Sequence, residues 1–217
     1  MSKALERRAK LREALIEAAE RAIAAKGLGG LKTRELAQEI GVANGGVYNL
    51  VEDVDELILR VGSRTLARLD ASLSLAEIGG QTAPREMLVR VAVAYCDFAA
   101  ENLELWRALF EHRMQPGKPV PEWAVSEQME LFRHIYKPLA ALFPQRSATQ
   151  LGVTALLFPQ RSATQLGVTA RSLFSAVHGM VALGLEQKLI AVPLPALRNE
   201  IATLTRAMID GLTAKKE

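Results

Sequence analysis

An all-α fold is expected of this chain of 217 residues on three observations. Apolar residues recur at helical spacing, as in Leu11, Leu15, Ala18, Ala19, Ala22 and Ile23 near the start and Leu197, Ile201, Leu204, Met208 and Leu212 near the end. Runs with the two-residue alternation of a half-buried strand are nearly absent. Glycine and proline cut the chain into about nine helix-length pieces. Apolar residues make up 49% and charged residues 24%, so the chain can bury one sizeable core or two modest ones.

Gly27, Gly29 and Gly30 end the first helix at Lys26, because glycine takes the left-handed conformation that a helix C-terminus favours. A phosphate-cradling loop is excluded here, since no strand precedes the glycines and their spacing is not G-x-G-x-x-G. Thr33 is the expected N-cap of a short second helix whose Leu36, Ala37 and Ile40 face inward. Gly41 allows a tight turn, after which Val42 and Val47 pack back from another short helix. Asp53 with Glu56 three residues on resembles a capping box, and Asp55 adds charge at the positive end of the same helix. The cluster Glu52, Asp53, Asp55 and Glu56 has no histidine beside it in sequence, so capping is preferred to metal ligation. Further along, Pro84 opens a helix, Pro116-Gly117-Lys118-Pro119 breaks one, Pro121 marks a new start, and Pro193 and Pro195 precede the last helix.

Residues 142–155, LFPQRSATQLGVTA, recur letter for letter as residues 157–170. Two identical copies at a fifteen-residue period are too few and too short for a solenoid, so this is a local tandem duplication. Pro144 with Ser147, and Pro159 with Ser162, let each copy end one helix and cap another. The second copy is expected to run directly into the helix that carries Phe174 and His178.

Charge is distributed unevenly. The net charge is only +3, yet residues 1–50 hold nine Lys/Arg against six Asp/Glu while the remainder balances. A basic end is the footprint of a nucleic-acid contact or of a solvated basic helix. The single cysteine, Cys96, forms no intramolecular disulfide, which fits a reducing cytoplasm. No apolar stretch follows the basic N-terminus and none approaches a membrane span, so neither export nor membrane insertion is expected. No cofactor and no metal are expected.

The stretch KTRELAQEIGVANGGVYNLVEDVDELI, residues 32–58, carries the function. Two short helices joined by a glycine turn, with a small Ala37 where they cross, form a helix-turn-helix pattern. In that motif the second helix, here residues 44–49, enters the major groove. Gly45 and Gly46 cost a helix about 1 kcal/mol each relative to alanine. A close backbone approach to DNA would offset that cost, while Asn44 and Asn49 offer amides to bases or phosphates. Tyr48 can set its ring on the small core and its hydroxyl on a phosphate. Lys32 and Arg34, flanking Thr33, are placed for phosphates. The alternative is a surface helical hairpin with Tyr48 at a core edge.

Residues 10–60 resemble the DNA-binding domain of TetR regulators. The shared features are a long first helix ending A-A-K-G, a threonine before the second helix, L-A-x-x-x-G-V, a glycine in the third, Tyr48, and a helix opening around D-E-L at 55–57. Ala43 stands where the family usually has a Ser/Thr cap, Val51 where an aromatic is usual, and Val54 where a lysine is usual. In YCDFAAENLELWRALFEHRM (95–114) and LFSAVHGMVALGL (173–185) the body resembles the family's C-terminal domains with a Trp-His-Gly signature, Phe174 replacing the tryptophan.

The resemblance implies a helix-turn-helix head, residues 1–52, and a ligand-binding and dimerising body, residues 53–217. It implies a homodimer on a palindromic double-stranded operator, with a small-molecule effector whose identity the residues leave open. Tyr95, Phe98, Trp106, Phe110, Phe132, Tyr136, Phe174 and His178 are candidate pocket residues, against a reading as core packing. Val177, Val181, Leu185, Ile201, Leu204 and Met208 on the last two helices are candidate dimer contacts, helped by the small Ala176, Gly179, Ala182 and Gly184. Two other classes stand beside this one: a constitutive DNA-binding protein without effector, and a helical enzyme using His178. No Ser, Cys or Asp stands at motif spacing from that histidine, so no catalytic residue is assigned.

Overall fold

The computed structural model describes residues 3–78, 82–143, 165–186 and 192–214. Among these residues it is all-helical: α1 Lys3–Lys26, α2 Thr33–Glu39, α3 Val54–Glu77, α4 Pro84–Glu101, α5 Leu103–Glu111, α6 Glu122–Leu131, α7 Arg133–Leu142, α8 Gln165–Leu185 and α9 Leu194–Thr213. Two short 3-10 helices, Leu28–Gly30 and Asn44–Asn49, complete it. Most of the duplicated segment lies outside the described residues. The end of the second copy, Gln165–Ala170, is the first part of α8, which continues unbroken through Phe174 and His178.

The chain falls into two compact units. The first comprises Met1–Ala67 and Asn102–Ala124, so compactness carries it past residue 52 into α3 and adds the α5 segment. Its core joins Leu15, Ala19 and Ile23 of α1 to Leu36 and Ala37 of α2, Val47, Leu57 of α3 and Leu105 of α5. Each such leucine or isoleucine contributes about 1.5–3 kcal/mol of burial. Ile40 and Val42 are only partly buried but pack on the same cluster, as their spacing requires.

The second unit comprises Arg68–Glu101 and Val125–Glu217, with α4 packed against α7, α8 and α9. Leu88, Leu139, Leu166, Ala170, Leu173 and Ile209 form a core cluster there. At its surface α4 and α9 are joined by Arg85–Asp210 (2.5 Å), Arg206–Glu86 (2.9 Å) and Arg198–Asp97. His134 of α7, 1% exposed, bridges two carboxylates of α3, with Nδ1 2.5 Å from Glu77 Oε1 and Nε2 2.9 Å from Asp70 Oδ1. Burial pushes the Asp70 carboxyl up, but Arg133 and His134 together hold it below the ordinary carboxylate range.

Two expectations change. Thr33 is the first residue of α2 rather than its cap: the Lys32 carbonyl accepts the first helical hydrogen bond, from Leu36 N at 3.0 Å, and no side chain caps the helix. The expectation that no stretch comes near a membrane span also fails for α8, since Leu166–Leu185 is long and apolar enough to cross a bilayer by length and composition. In the folded chain α8 buries one face against α4, α7 and α9, and 33% of its most apolar window is buried.

Candidate nucleic-acid interface

The turn between α2 and Asn44 is set by backbone hydrogen bonds. Gly41 takes φ +71°, Gly41 N donates to Gln38 O (3.2 Å) and Val42 N to Ala37 O (2.9 Å). This pair is a Schellman motif, and the left-handed φ at its C′ position is why glycine stands there. Ala43 then occupies the cap position in extended conformation without a side-chain bond, as expected from its missing hydroxyl. The following segment, Asn44–Asn49, is a 3-10 helix rather than an α-helix, with Gly46 N on Ala43 O at 2.7 Å.

Val47, 1% exposed, and Leu50 anchor this segment to the core, which leaves Asn44, Gly45, Tyr48 and Asn49 at the surface. Lys32 and Arg34 are exposed beside it, with Thr33 half-buried. The two glycines differ. A Cβ on Gly46 would sit 3.3 Å from the Val42 Cβ, so its smallness has an internal reason, whereas a Cβ on Gly45 would meet nothing within 4 Å. The chain itself does not need Gly45 to be small.

Tyr48 is 50% exposed, less embedded in the core than expected, and its ring borders grooves beside the start of α1. There Arg8 Nε donates to the Asn49 carbonyl at 3.0 Å. Arg8 is not among the expected contacts, because only the fold brings it near residue 49. The basic excess of the N-terminus is the signal that could have found it.

Behind the exposed segment, α3 is capped as its sequence predicts. Glu56 N donates to Asp53 Oδ1 (2.9 Å), and the Glu56 carboxylate accepts from Glu52 N (2.7 Å), one residue earlier than in a standard capping box. The Lys118 ammonium, followed by the Glu56 amide, holds the Asp53 carboxyl below its ordinary value. Burial pushes Glu56 up, but the Glu52 amide and the Arg12 guanidinium at 2.6 Å hold it down. The segment after α5 is clasped to the same helix start: Lys118 pairs with Asp53, and Gln115 N donates to Asp55 Oδ2 at 3.3 Å. His112 Nε2 lies 3.4 Å from Asp55 Oδ1, buried and without a hydrogen-bond partner among the described residues. Burial pushes the His112 imidazole below its ordinary value, against the attraction of Asp55.

In the second unit, four of the candidate pocket residues meet. Tyr95 Oη and His178 Nδ1 share a hydrogen bond at 2.8 Å, Phe174 stacks on His178 at 5.4 Å, and Phe132 meets Phe174 edge-on at 5.4 Å. Burial pushes the His178 imidazole below its ordinary value. Phe98 is buried on α4, and half-buried Tyr136 packs on the Leu88 cluster. Trp106 and Phe110 belong to the first unit, where their rings lie 5.4 Å apart. Of the candidate dimer residues, Val177, Val181 and Ile201 are at most 7% exposed against the chain's own core. Leu185, Leu204 and Met208 are half-buried, and Val168, Gly179 and Leu183 lie along the open side of α8.

Two family models match this sequence: one described as bacterial regulatory proteins, tetR family, over residues 15–50, and one described as tetracyclin repressor-like, C-terminal domain, over residues 88–212. The second carries no Trp-His-Gly label, so that subtype rests on the residues alone. No curated protein matches the sequence. Among solved structures, the putative regulatory protein SCO4313 is similar at TM-score 0.68 and 20% identity, over 92% of this chain and 97% of that one. RolR in complex with resorcinol is similar at TM-score 0.62 and 16% identity, over 94% and 89%. BioQ with its double-stranded DNA operator is similar at TM-score 0.59 and 17% identity, over 94% and 98%. At these identities the likeness is one of fold.

Proposed function

The chain belongs to the TetR family and is a DNA-binding transcription regulator rather than an enzyme, and from that premise we propose that it is a homodimeric, ligand-released repressor. The observation that carries the DNA-reading part is the surface segment Asn44–Asn49, pinned by Val47 and opened by Gly45. Residues 1–52 read the operator. Asn44 and Asn49 face base edges, the Gly45 backbone approaches the groove, and Lys32, Thr33, Arg34 and Tyr48 bind phosphates, with Gly46 giving the segment its close fit on Val42.

The body holds the effector against Tyr95, Phe132, Phe174 and His178, where stacked rings and one partly buried hydrogen bond suit a small, largely apolar molecule. RolR, whose structure holds resorcinol, gives a precedent for an aromatic ligand in this fold. An effector releases DNA only by binding the non-operator arrangement better, typically by about 1–3 kcal/mol of coupling. The dimer forms through the open faces of α8 and α9, where Gly179, Leu183 and Ala207 leave room for a partner helix. Such a pairing covers the apolar side of α8, and reading DNA sets the chain's work in the cytoplasm.

Selection of genomic duplexes by the purified protein, repeated with a metabolite library, tests the reading. Recovery of a palindrome that one metabolite releases is expected. Binding that is tight but indifferent to every metabolite would instead support a constitutive regulator, and no enrichment at all would sink the assignment of residues 44–49.

A further inference from the structure

The first two turns of α1, Lys3–Lys10, are helical yet exposed at every residue, and the buried residues of α1 begin only at Leu15. Burial in the chain's own core therefore gives these turns no role. They border two grooves that both reach Tyr48 and Asn49, one on each side of Arg8. The grooves differ in charge. One is lined by Arg8, Arg12, Glu52 and Glu56, two cations against two carboxylates, with Arg12 already paired to Glu56. The other is lined by Lys3, Arg7 and Arg8 together with Tyr48 and Asn49, with no carboxylate among its described lining residues. Lys3 and Arg7 stand four residues apart and so share one helix face.

We propose that the Lys3–Arg7 face of α1 is a second DNA contact, a clamp on the phosphate backbone next to the segment that reads the bases. This rests on the reading of residues 44–49 as the DNA-facing segment and extends it to α1. Arg8 acts as a positioning residue: its bond to the Asn49 carbonyl ties the clamp to the end of the reading segment, so both meet the duplex in one register. Beside a segment that reads bases, a phosphodiester is the anion this charge meets, because the groove carries three cationic side chains and the Tyr48 hydroxyl, and phosphate contacts orient a protein without reading sequence.

The experiment compares the full-length protein with the double variant Lys3→Ala/Arg7→Ala on the operator and on a scrambled duplex across salt concentrations. Each phosphate contact contributes about 0.9 to the slope of log affinity against log salt, so a dimer that loses two contacts per chain has its slope lowered by about 3.6. Between about 50 and 200 mM salt the wild-type dimer should then lose roughly a hundredfold more affinity than the variant. The low-salt affinity should drop equally for both duplexes, leaving the specificity ratio unchanged, with an unaltered melting temperature because both side chains are exposed. An unchanged slope, or a loss confined to the operator, overturns the clamp while leaving the reading segment intact. Wild-type protein that binds neither duplex overturns the reading segment itself, and the clamp with it.

Discussion

At the scale of single residues, Gly45 separates the needs of the fold from those of the function. With nothing within 4 Å of the place a Cβ would take, and no left-handed φ, the position accepts alanine sterically. Gly45→Ala should therefore raise stability by about 0.4–1 kcal/mol through a less flexible unfolded chain, while weakening operator binding. Chemical denaturation and a gel-shift titration check the two halves, and a variant both more stable and equally tight would refute the close approach. Gly46 and Thr33 show what the letters alone do not reveal. Both glycines read alike in sequence, and only packing against Val42 tells them apart; the cap one residue early, at Lys32, depends on which carbonyl accepts the first helical bond. Two half-buried imidazoles set a residue-level response to acid. His112 and His178 are both held below the ordinary value near 6.5 by burial. The unfolded chain therefore takes up protons first as pH falls, and the stability present above about 6.5 is lost as pH drops through the folded values. Melting temperature should fall from about pH 7 to about pH 5, and His112→Asn should flatten part of that fall. Asp53, Glu56 and Asp70, held below their ordinary values, add a further loss only in more acid solution. A melting temperature flat across the first window would contradict the burial account.

At the scale of elements, punctuation is the legible part. The ends of α1 at Gly27, α4 at Pro84, and α9 at Pro193 and Pro195 follow from φ restrictions and missing donors that any chain must respect. Contacts between elements distant in sequence are not legible. The His134 bridge to Asp70 and Glu77, the clasp of residues 112–118 on α3, and the assignment of Trp106 and Tyr95 to different units all depend on how helices are paired. The duplicated segment can be tested from its letters. Deleting residues 142–156 joins Ala141 to Leu157 and restores one intact LFPQRSATQLGVTA, so α8 keeps its own residues and α7 receives Leu157 in the place of Leu142. Loop closure changes by well under about 1 kcal/mol for such a change in length. The shortened protein should melt with the same cooperativity and bind the same operator; an unfolded product would show the duplication to be integral.

For the whole molecule, the prediction concerns assembly. The open faces of α8 and α9 carry Gly179, Leu183 and Ala207, while Val177, Val181 and Ile201 are consumed by the chain's own core. Patterning marks both sets alike, because helical periodicity cannot say which of two apolar faces belongs to the monomer. Charges at Val177 would unfold the protein and prove nothing about pairing. Gly179→Arg with Leu183→Glu should instead give a folded species with the 23.7 kDa mass of one chain, unable to hold a palindrome. Light scattering distinguishes it from the wild type, and a wild type that is itself one chain in mass would end the dimer reading. The exposed side of α8 also bears on the life of the protein in a cell. An unpaired chain displays an apolar helix of the sort that chaperones and proteases recognise, whereas a paired chain hides it. Turnover would then depend on abundance: scarce chains dissociate and are cleared, abundant ones shelter each other, and the copy number of the regulator acquires a threshold that its promoter alone does not set.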